Sequence, residues 1–294
     1  MTFRLIEAEK AEHSISRLCR VLGVSRVGFY AWRARPPSAR ALRDAELERL
    51  VAAVFAESRE TYGAPRVHAE LRARGVRVGK KRIARLMRQL EVEGVSRRGK
   101  RQRTTSPDPA APPAPDLVKR RFAAERPDQL WLADITYLPT YEGWLFLAVV
   151  MDVCSRKIVG WAMREDLKSE LVVDALGMAI ARRRPRAGLV HHSDRGSQYT
   201  SLAFGRTLRE SGLVASMGRR GDAYDHAPVE SVISTIKNEL VHRSRFTTRD
   251  QARLAVFDYI ETFYNPRRLH SSLGNRSPDD YERSKLNLEP AAVA

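Results

Sequence analysis

Three acidic residues stand where a carboxylate is costly unless it has work to do. Asp134 lies in WLADITYLPT, a run otherwise apolar or hydroxylated. A carboxylate there must be solvated at a sheet edge, paired, or bound to a cation. Asp194 follows the strand-like AGLVHH, at the C-terminal end where ligands gather in open sheets. Glu230 opens a helix whose first turn can hold Pro228. Val229, Val232, Ile233, Ile236 and Leu240 form the buried face of that helix, while Glu230, Ser234 and Lys237 share its polar face. Acids on a strand, a strand end and a helix can converge on a pair of Mg²⁺ ions, which take a few carboxylates, waters and phosphate oxygens. In a two-metal reaction the ions sit roughly 3.5–4 Å apart. One activates a water or a DNA 3′-hydroxyl, and the other stabilises the departing 3′ oxygen. Spacing alone is a weak signal, because 35 acids make many triads by chance. The plain alternatives are a hydrogen-bonded strand Asp134 and a solvent-facing Glu230.

The elements that must position these residues show in the periodicity. QLWLADITYLPT, WLFLAVVMDV and KIVGWAM read as three strands in close succession, an antiparallel meander with a turn at Glu142-Gly143. SELVVDALGMAIARR is a helix, AGLVHH (187–192) a short strand, and 201–210 another helix. Strands first and alternating helix and strand afterwards indicate an α/β domain with a mixed sheet.

The amino-terminal part is helical instead. Ser14 caps a helix carrying Ile15, Leu18, Cys19 and Leu22; Gly23 turns, and Ser25 caps a second with Val27, Phe29, Tyr30 and Trp32. The second bears Arg26, Arg33 and Arg35, a helix-turn-helix pattern, although a plain helical hairpin shows the same spacing. A similar unit follows: Pro65 opens a helix that Gly75 ends, and VRVGKKRIARLMRQL begins the next. There Lys80, Lys81, Arg82, Arg85 and Arg88 either meet phosphate or cover a solvated face. Residues 101–120 contain five prolines and almost nothing to bury, which reads as a linker.

Charge follows the same division. Residues 1–120 hold 27 Lys or Arg against 13 acids, a balance of +14, and the remaining residues hold 25 against 22, a balance of +3. A basic segment attracts nucleic acid without choosing its sequence. Cys19 and Cys154 read as buried thiols, not a disulfide or a metal pair. The longest apolar run is too short to span a bilayer and the first residues lack a signal-peptide core, so a cytoplasmic, nucleoid-associated protein is expected.

The segments SISRLCRVLGVSRVGFYAWRAR, YGAPRVHAELRARGVRVGKKRIARLMR, WLADITYLPT, FLAVVMDVCSRKIVGWAM, HHSDRGSQYTS, GDAYDHAPVESVISTIKNEL and YIETFYNPRRLHSSLGNRSPDDY occur in a specific order. In that order the chain resembles the OrfB-type transposases of bacterial copy-and-paste insertion sequences, whose catalytic domain is similar to retroviral integrase. The resemblance covers about residues 12–284. It implies that Asp134, Asp194 and Glu230 are the catalytic, metal-holding triad, with the 35 residues between the last two at the family's spacing. It implies that Lys237, seven beyond the Glu, contacts DNA; the helix-turn-helix reading adds Arg26, Arg33, Arg35, Lys80, Lys81 and Arg82, and Arg267 and Arg268 lie near the DNA path or stabilise a helix terminus. Asp152 and Arg156 are expected to hold a hairpin. His192, Gln198 and Tyr199 place the strand end or approach DNA; Asn265 and His270 lie near the DNA path or stabilise a helix terminus. His226 stands where the family usually has Asn, and ESVISTIK places small aliphatics where bulky aromatics are common.

The resulting expectation is a helical, helix-turn-helix-like DNA-binding region at 1–100, a Pro-rich basic linker at 101–121, an α/β, ribonuclease H-like mixed-sheet catalytic domain at 122–284 and a tail at 285–294. The expected activity is that of a DDE transposase, cutting and joining insertion-sequence ends with two Mg²⁺ or Mn²⁺ ions. The implied partners are terminal inverted-repeat DNA, target DNA, an OrfA protein or an OrfA–OrfB fusion, and further copies of the chain on DNA. The chain shows no sustained heptad pattern of the kind an OrfA zipper would carry. The competing readings are a ribonuclease H-like nuclease without strand transfer and a non-catalytic DNA-binding regulator of transposition.

Overall fold

The computed structural model describes residues 2–95, 115–118, 122–218 and 227–286. Most of the expected linker, most of the tail and His226 lie outside the described residues.

Three short helices form a small unit: α1 (Thr2–Glu9), α2 (Ile15–Val21) and α3 (Arg26–Ala34). Ser14 and Ser25 cap α2 and α3 by accepting from the Arg17 and Gly28 amides, satisfying donors that a helix start leaves bare. Ile6, Cys19 and Phe29 are the buried centre, with Phe3 and Trp32 packed around them. Three further helices follow: α4 (Ala39–Glu57), α5 (Ala64–Ala73) and α6 (Lys80–Gln89). Their Val51, Val54, Val67, Leu71, Ile83 and Met87 belong to the same apolar cluster as the sheet domain. The expected single region 1–100 therefore packs in two parts, and its second part shares the catalytic domain's core. The helix expected from Val76 begins only at Lys80. Gly75, at φ +80°, lets the Val76 amide reach back to Leu71 O at 2.9 Å, closing α5 and turning 76–79 out of helix.

The sheet has five strands in the order β3-β2-β1-β4-β5. β1 (Leu130–Thr140), β2 (Gly143–Asp152) and β3 (Ile158–Arg164) form the antiparallel meander. β4 (Val190–Ser193) and β5 (Val214–Met217) run parallel to β1. Side chains alternate across the sheet. One set, including Trp131, Ala133, Val150 and Val159, packs against α7 (Ser169–Arg183) and α8 (Leu202–Glu210). The other set, including Leu132, Leu138, Leu147 and Val149, meets α9 (Ala227–Glu239) and α10 (Arg249–Asp258), with helices α4–α6 closing the same core. α10 runs on into a wider π-type turn, Tyr259–Tyr264, and α11 (Pro278–Leu286) ends the described chain. Among the described residues no helix is long and apolar enough to cross a membrane.

α7 rests closely on β3 because position 160 is glycine. A Cβ there would lie 2.2 Å from the Ala175 carbonyl oxygen and 2.7 Å from the Ala179 amide nitrogen. Gly160→Ala is therefore expected to lower the unfolding free energy in urea by about 1–3 kcal/mol. Gly177→Ala, on the same helix with open space around the added methyl, is expected to leave stability unchanged or slightly raised. Equal effects of the two changes would mean that the helix does not rest on Gly160.

Candidate active site

The three acids are brought to one place by strand register and helix packing. β1 and β4 run parallel with Leu132 opposite His192. Two residues further on, Asp134 and Asp194 come level, the second just beyond the end of β4. α9 packs along β1 and carries Glu230 in its first turn. All three side chains are half-buried. Asp134 accepts from the Ile135 amide at 2.8 Å, and Asp194 accepts from the Gly196 amide at 3.0 Å. Burial, then the negative charge of Asp194, with Glu230 adding to it, pushes the Asp134 carboxyl up to about 7 against the opposing Ile135 amide and Lys237. Burial also raises Asp194, partly offset by the Gly196 amide. Burial lowers Lys237, while Asp134 pulls it back up. The Lys237 ammonium lies 4.6 Å from the centre of the Tyr137 ring, a cation–π contact at the edge of the acidic cluster.

Among the described residues no three His, Cys, Asp or Glu side chains form a ready-made metal cage. The donors present suit a hard cation that keeps its waters. They are half-buried carboxylate oxygens, and burial followed by the charges of Asp194 and Glu230 raises Asp134. Mg²⁺ is held in that way, through few carboxylates with water and substrate phosphate completing the shell.

Around the cluster, polar groups hold elements in place. Asp152 is fully buried; it accepts from the Ser155 amide and hydroxyl and from the Asp128 amide, each at 2.8 Å. Burial nonetheless pushes its carboxyl up to about 6. Arg156 takes φ 62° in the β2–β3 turn, and its carbonyl accepts from the Tyr264 hydroxyl at 3.1 Å. Buried His192 pairs with Ser216 at 2.8 Å, joining β4 to β5. His191 is packed between Tyr199 and Phe204, and burial takes its ring down to about 3, so it is neutral. Tyr199 is buried beneath Asp194, and Gln198 donates to Leu167 O at 3.0 Å. The Asn265 side chain bonds both the amide and the carbonyl of Ile158 at 3.0 Å, acting as a one-residue partner for the edge of β3. Buried His270 packs edge-on against Tyr264 at 5.0 Å. These geometries fit the structural alternatives for Asn265, His270, His192 and Tyr199 better than DNA contact.

An integrase core domain model matches residues 124–223, a second integrase core domain model matches 211–278, and an HTH-like domain model matches 41–101. The uncharacterized 31 kDa protein of insertion element IS600 from Shigella sonnei is 45% identical over 261 residues, 89% of this chain and 96% of that protein. The transposase InsF for insertion sequence IS3A of Escherichia coli K12 is 40% identical over 293 residues, 97% of this chain and all of that protein. The chain belongs to the IS3 family of insertion-sequence transposases. It is a DDE-type polynucleotidyl transferase with an integrase core domain. Among solved structures, a simian T-cell lymphotropic virus intasome is similar with a TM-score of 0.47 at 13% identity, over 83% of this chain and 76% of that one. The HTLV-2 integrase catalytic core domain in complex with magnesium is similar with a TM-score of 0.40 at 18% identity, over 52% of this chain and 94% of that one.

The transposase distributes its expected DNA contacts unevenly. Arg26, Arg33 and Arg35 are exposed on and after α3, with Arg26 touching Ser16 and Arg33 4.0 Å from Glu7. Lys80 and Lys81 are exposed at the start of α6, whereas Arg82 and Arg85 both bond Asp44 at 2.7 Å. The HTH-like match falls on α4–α6, so the family signal lies on the second helical unit and not on the α2–α3 pair that the spacing favoured. Arg268 is a correction. It is wholly buried, donating from Nε at 2.7 Å and from Nη2 to the two oxygens of Glu239, where the Tyr259 hydroxyl also donates at 2.8 Å. An interior guanidinium paired in this way cannot reach a phosphate; its neighbour Arg267 is exposed. The residues that sequence reasoning missed, Glu239 and Tyr62, form bonds across 29 and more than 200 positions. The apolar surroundings of Glu239 on α9 were the only sign of it.

Two outcomes follow from this geometry. Between pH 4 and 7 the folded Asp134 keeps a proton that the unfolded chain gives up, so its contribution to stability falls as pH rises through that window. Metal-free Asp134→Asn is expected to melt several degrees above wild type at pH 8 and close to it at pH 4; equal gains at both would exclude the electrostatic origin. Arg268→Ala is expected to cost about 3–5 kcal/mol in urea, because Glu239 is left buried without its partner. Arg267→Ala should retain stability and reduce the salt slope of DNA binding by about 0.9. The reverse assignment would show if Arg268→Ala folded normally and lost the slope.

Proposed function

We propose that this transposase cleaves DNA at the ends of an insertion sequence and joins the freed 3′-hydroxyl to target DNA. The observation that carries the reading is the gathering of Asp134, Asp194 and Glu230, where burial and then the neighbouring acids push Asp134 up to about 7, with Lys237 beside them. Asp134, Asp194 and Glu230 would hold two Mg²⁺ or Mn²⁺ ions. When bound, these ions supply activation of the attacking oxygen and stabilisation of the departing 3′ oxygen. Lys237 is half-buried, with its ammonium over the Tyr137 ring; it would hold a phosphate oxygen and fix the strand's approach to the acids. Exposed Arg267 would bind the backbone further along.

The substrates in this reading are terminal inverted repeats and a target duplex. The exposed basic residues of α3 and α6 would supply affinity for the repeats, and an OrfA protein or an OrfA–OrfB fusion would supply specificity. Copies of the chain would assemble on paired ends, in the cytoplasm beside the nucleoid. In domain terms, α1–α3 and α4–α6 would together form the DNA-binding region, with α4–α6 docked on the catalytic core.

The test is a strand-transfer assay on labelled DNA carrying the ends of the source element, with Mg²⁺ and with OrfA or the fused form in parallel. Joined product is expected from wild type, and Asp194→Asn is expected to lower it about a hundred- to thousandfold or more. Cleavage without joining would replace the reading by that of a nuclease. DNA binding equal in both proteins with no product under any condition would replace it by that of a regulator.

A further inference from the structure

Beyond the acids, the β1–β2 hairpin carries a group of aromatic side chains that neither metal binding nor the core requires. Tyr137 and Trp144 meet edge to face, with ring centres 4.8 Å apart and planes at 81°. Trp144 is 52% exposed and Tyr141, at the turn, is 76% exposed. One exposed aromatic needs no explanation, but this group is held firmly. Arg249 donates from its backbone to Glu142 at 2.8 Å and from its side chain to the Trp144 carbonyl at 3.3 Å. The Tyr141 amide bonds Phe246 O at 3.1 Å. Gly143 takes φ +111°, and a Cβ there would come within 3.1 Å of the Arg249 guanidinium. The tip is thus a fixed feature, braced from a second element.

Its place relative to the chemistry suggests an occupant. Tyr137 follows Asp134 by three residues and faces the other side of β1, and Trp144 stands opposite Pro139, five residues beyond Asp134, roughly 17 Å along the strand at about 3.3 Å per residue. That is about five steps of a DNA strand at about 3.4 Å per nucleotide. The Lys237 ammonium on the Tyr137 ring adds positive charge between the acids and the aromatics. A flat, exposed π-face beside a cation, within a few nucleotides of the scissile position, is the combination that holds an unpaired base on single-stranded DNA.

We propose that Trp144, backed by Tyr137, stacks a nucleobase unpaired from the DNA end within about five nucleotides of the scissile phosphate. The platform keeps the end frayed so that its strand can enter the acidic cluster. The inference rests on the polynucleotidyl-transferase reading of that cluster.

Two measurements on the full chain test it. The first replaces thymines near the cleavage position of an element-end duplex with 5-iodouracil, which photocrosslinks to stacked aromatic side chains, and maps the adduct by peptide mass spectrometry. A crosslink into the peptide bearing Trp144 is expected; adducts found only elsewhere overturn the proposal. The second compares cleavage of a fully paired end with that of an end already frayed by mismatches. Trp144→Ala is expected to slow the paired end about 5- to 150-fold and the frayed end by less than about threefold, while Trp144→Phe, which keeps a stacking face, stays near wild type. Equal slowing on both ends overturns the proposal, as does an altered oligomeric state with unchanged crosslinks. A wild-type chain that crosslinks at Trp144 but cleaves neither end removes the transferase reading and leaves the stacking. Cleavage of both ends without that crosslink does the reverse.

Discussion

Glu230 is carried toward two other carboxylates on a helix. What holds the helix is at its other end. Glu239, nine residues on, is buried against Arg268, with Tyr259 and Arg66 also reaching it. Burial raises the Glu239 pKa, yet the bonds and charge of Arg268, with help from Tyr259 and Arg66, bring it below the ordinary carboxylate value. Such a pair adds little net stability compared with an apolar substitute. Its effect is to fix one arrangement, tying α9, the helix α5 that bears Arg66, and the segment after the π-type turn to one point.

The active site and this anchor are electrostatic opposites on one helix. At the acidic end like charges are gathered, and burial together with their charge leaves Asp134 raised. At the buried end opposite charges are matched within the chain. The apolar residues between them, Val229, Val232 and Ile236, supply the burial that keeps the helix on the sheet. Strain near the chemistry is thereby offset by packing away from it.

Much of this was legible in the sequence where the signal is local. The serines capping α2, α3 and α8, the meander and the bounds of α7 follow from neighbours within a few residues. The acidic residues were visible because a carboxylate interrupts an apolar run. β5 was not visible: four residues, VASM, become a strand only because β4 offers an edge. The long helix α4 shows no single apolar stripe, and its merging with the sheet core depends on partners far along the chain. Arg268 misled for a related reason. Two adjacent arginines look alike in sequence, and only the backbone turn at 263–268 sends one inward and the other outward.

That turn widens the end of α10, with the Asn265 amide reaching Ile260 O and the Arg268 amide reaching Phe263 O, five residues back in each case. The wider winding lets Tyr259 face Glu239, Glu261 meet Trp161 and Arg182, and Tyr264 meet the β2–β3 turn, all from six successive residues. Every one of these contacts depends on angular phase around the helix axis. A single-residue deletion would restore ordinary helical winding and rotate everything downstream, including Asn265 and Arg268, away from its partner. The length of the segment is therefore locked.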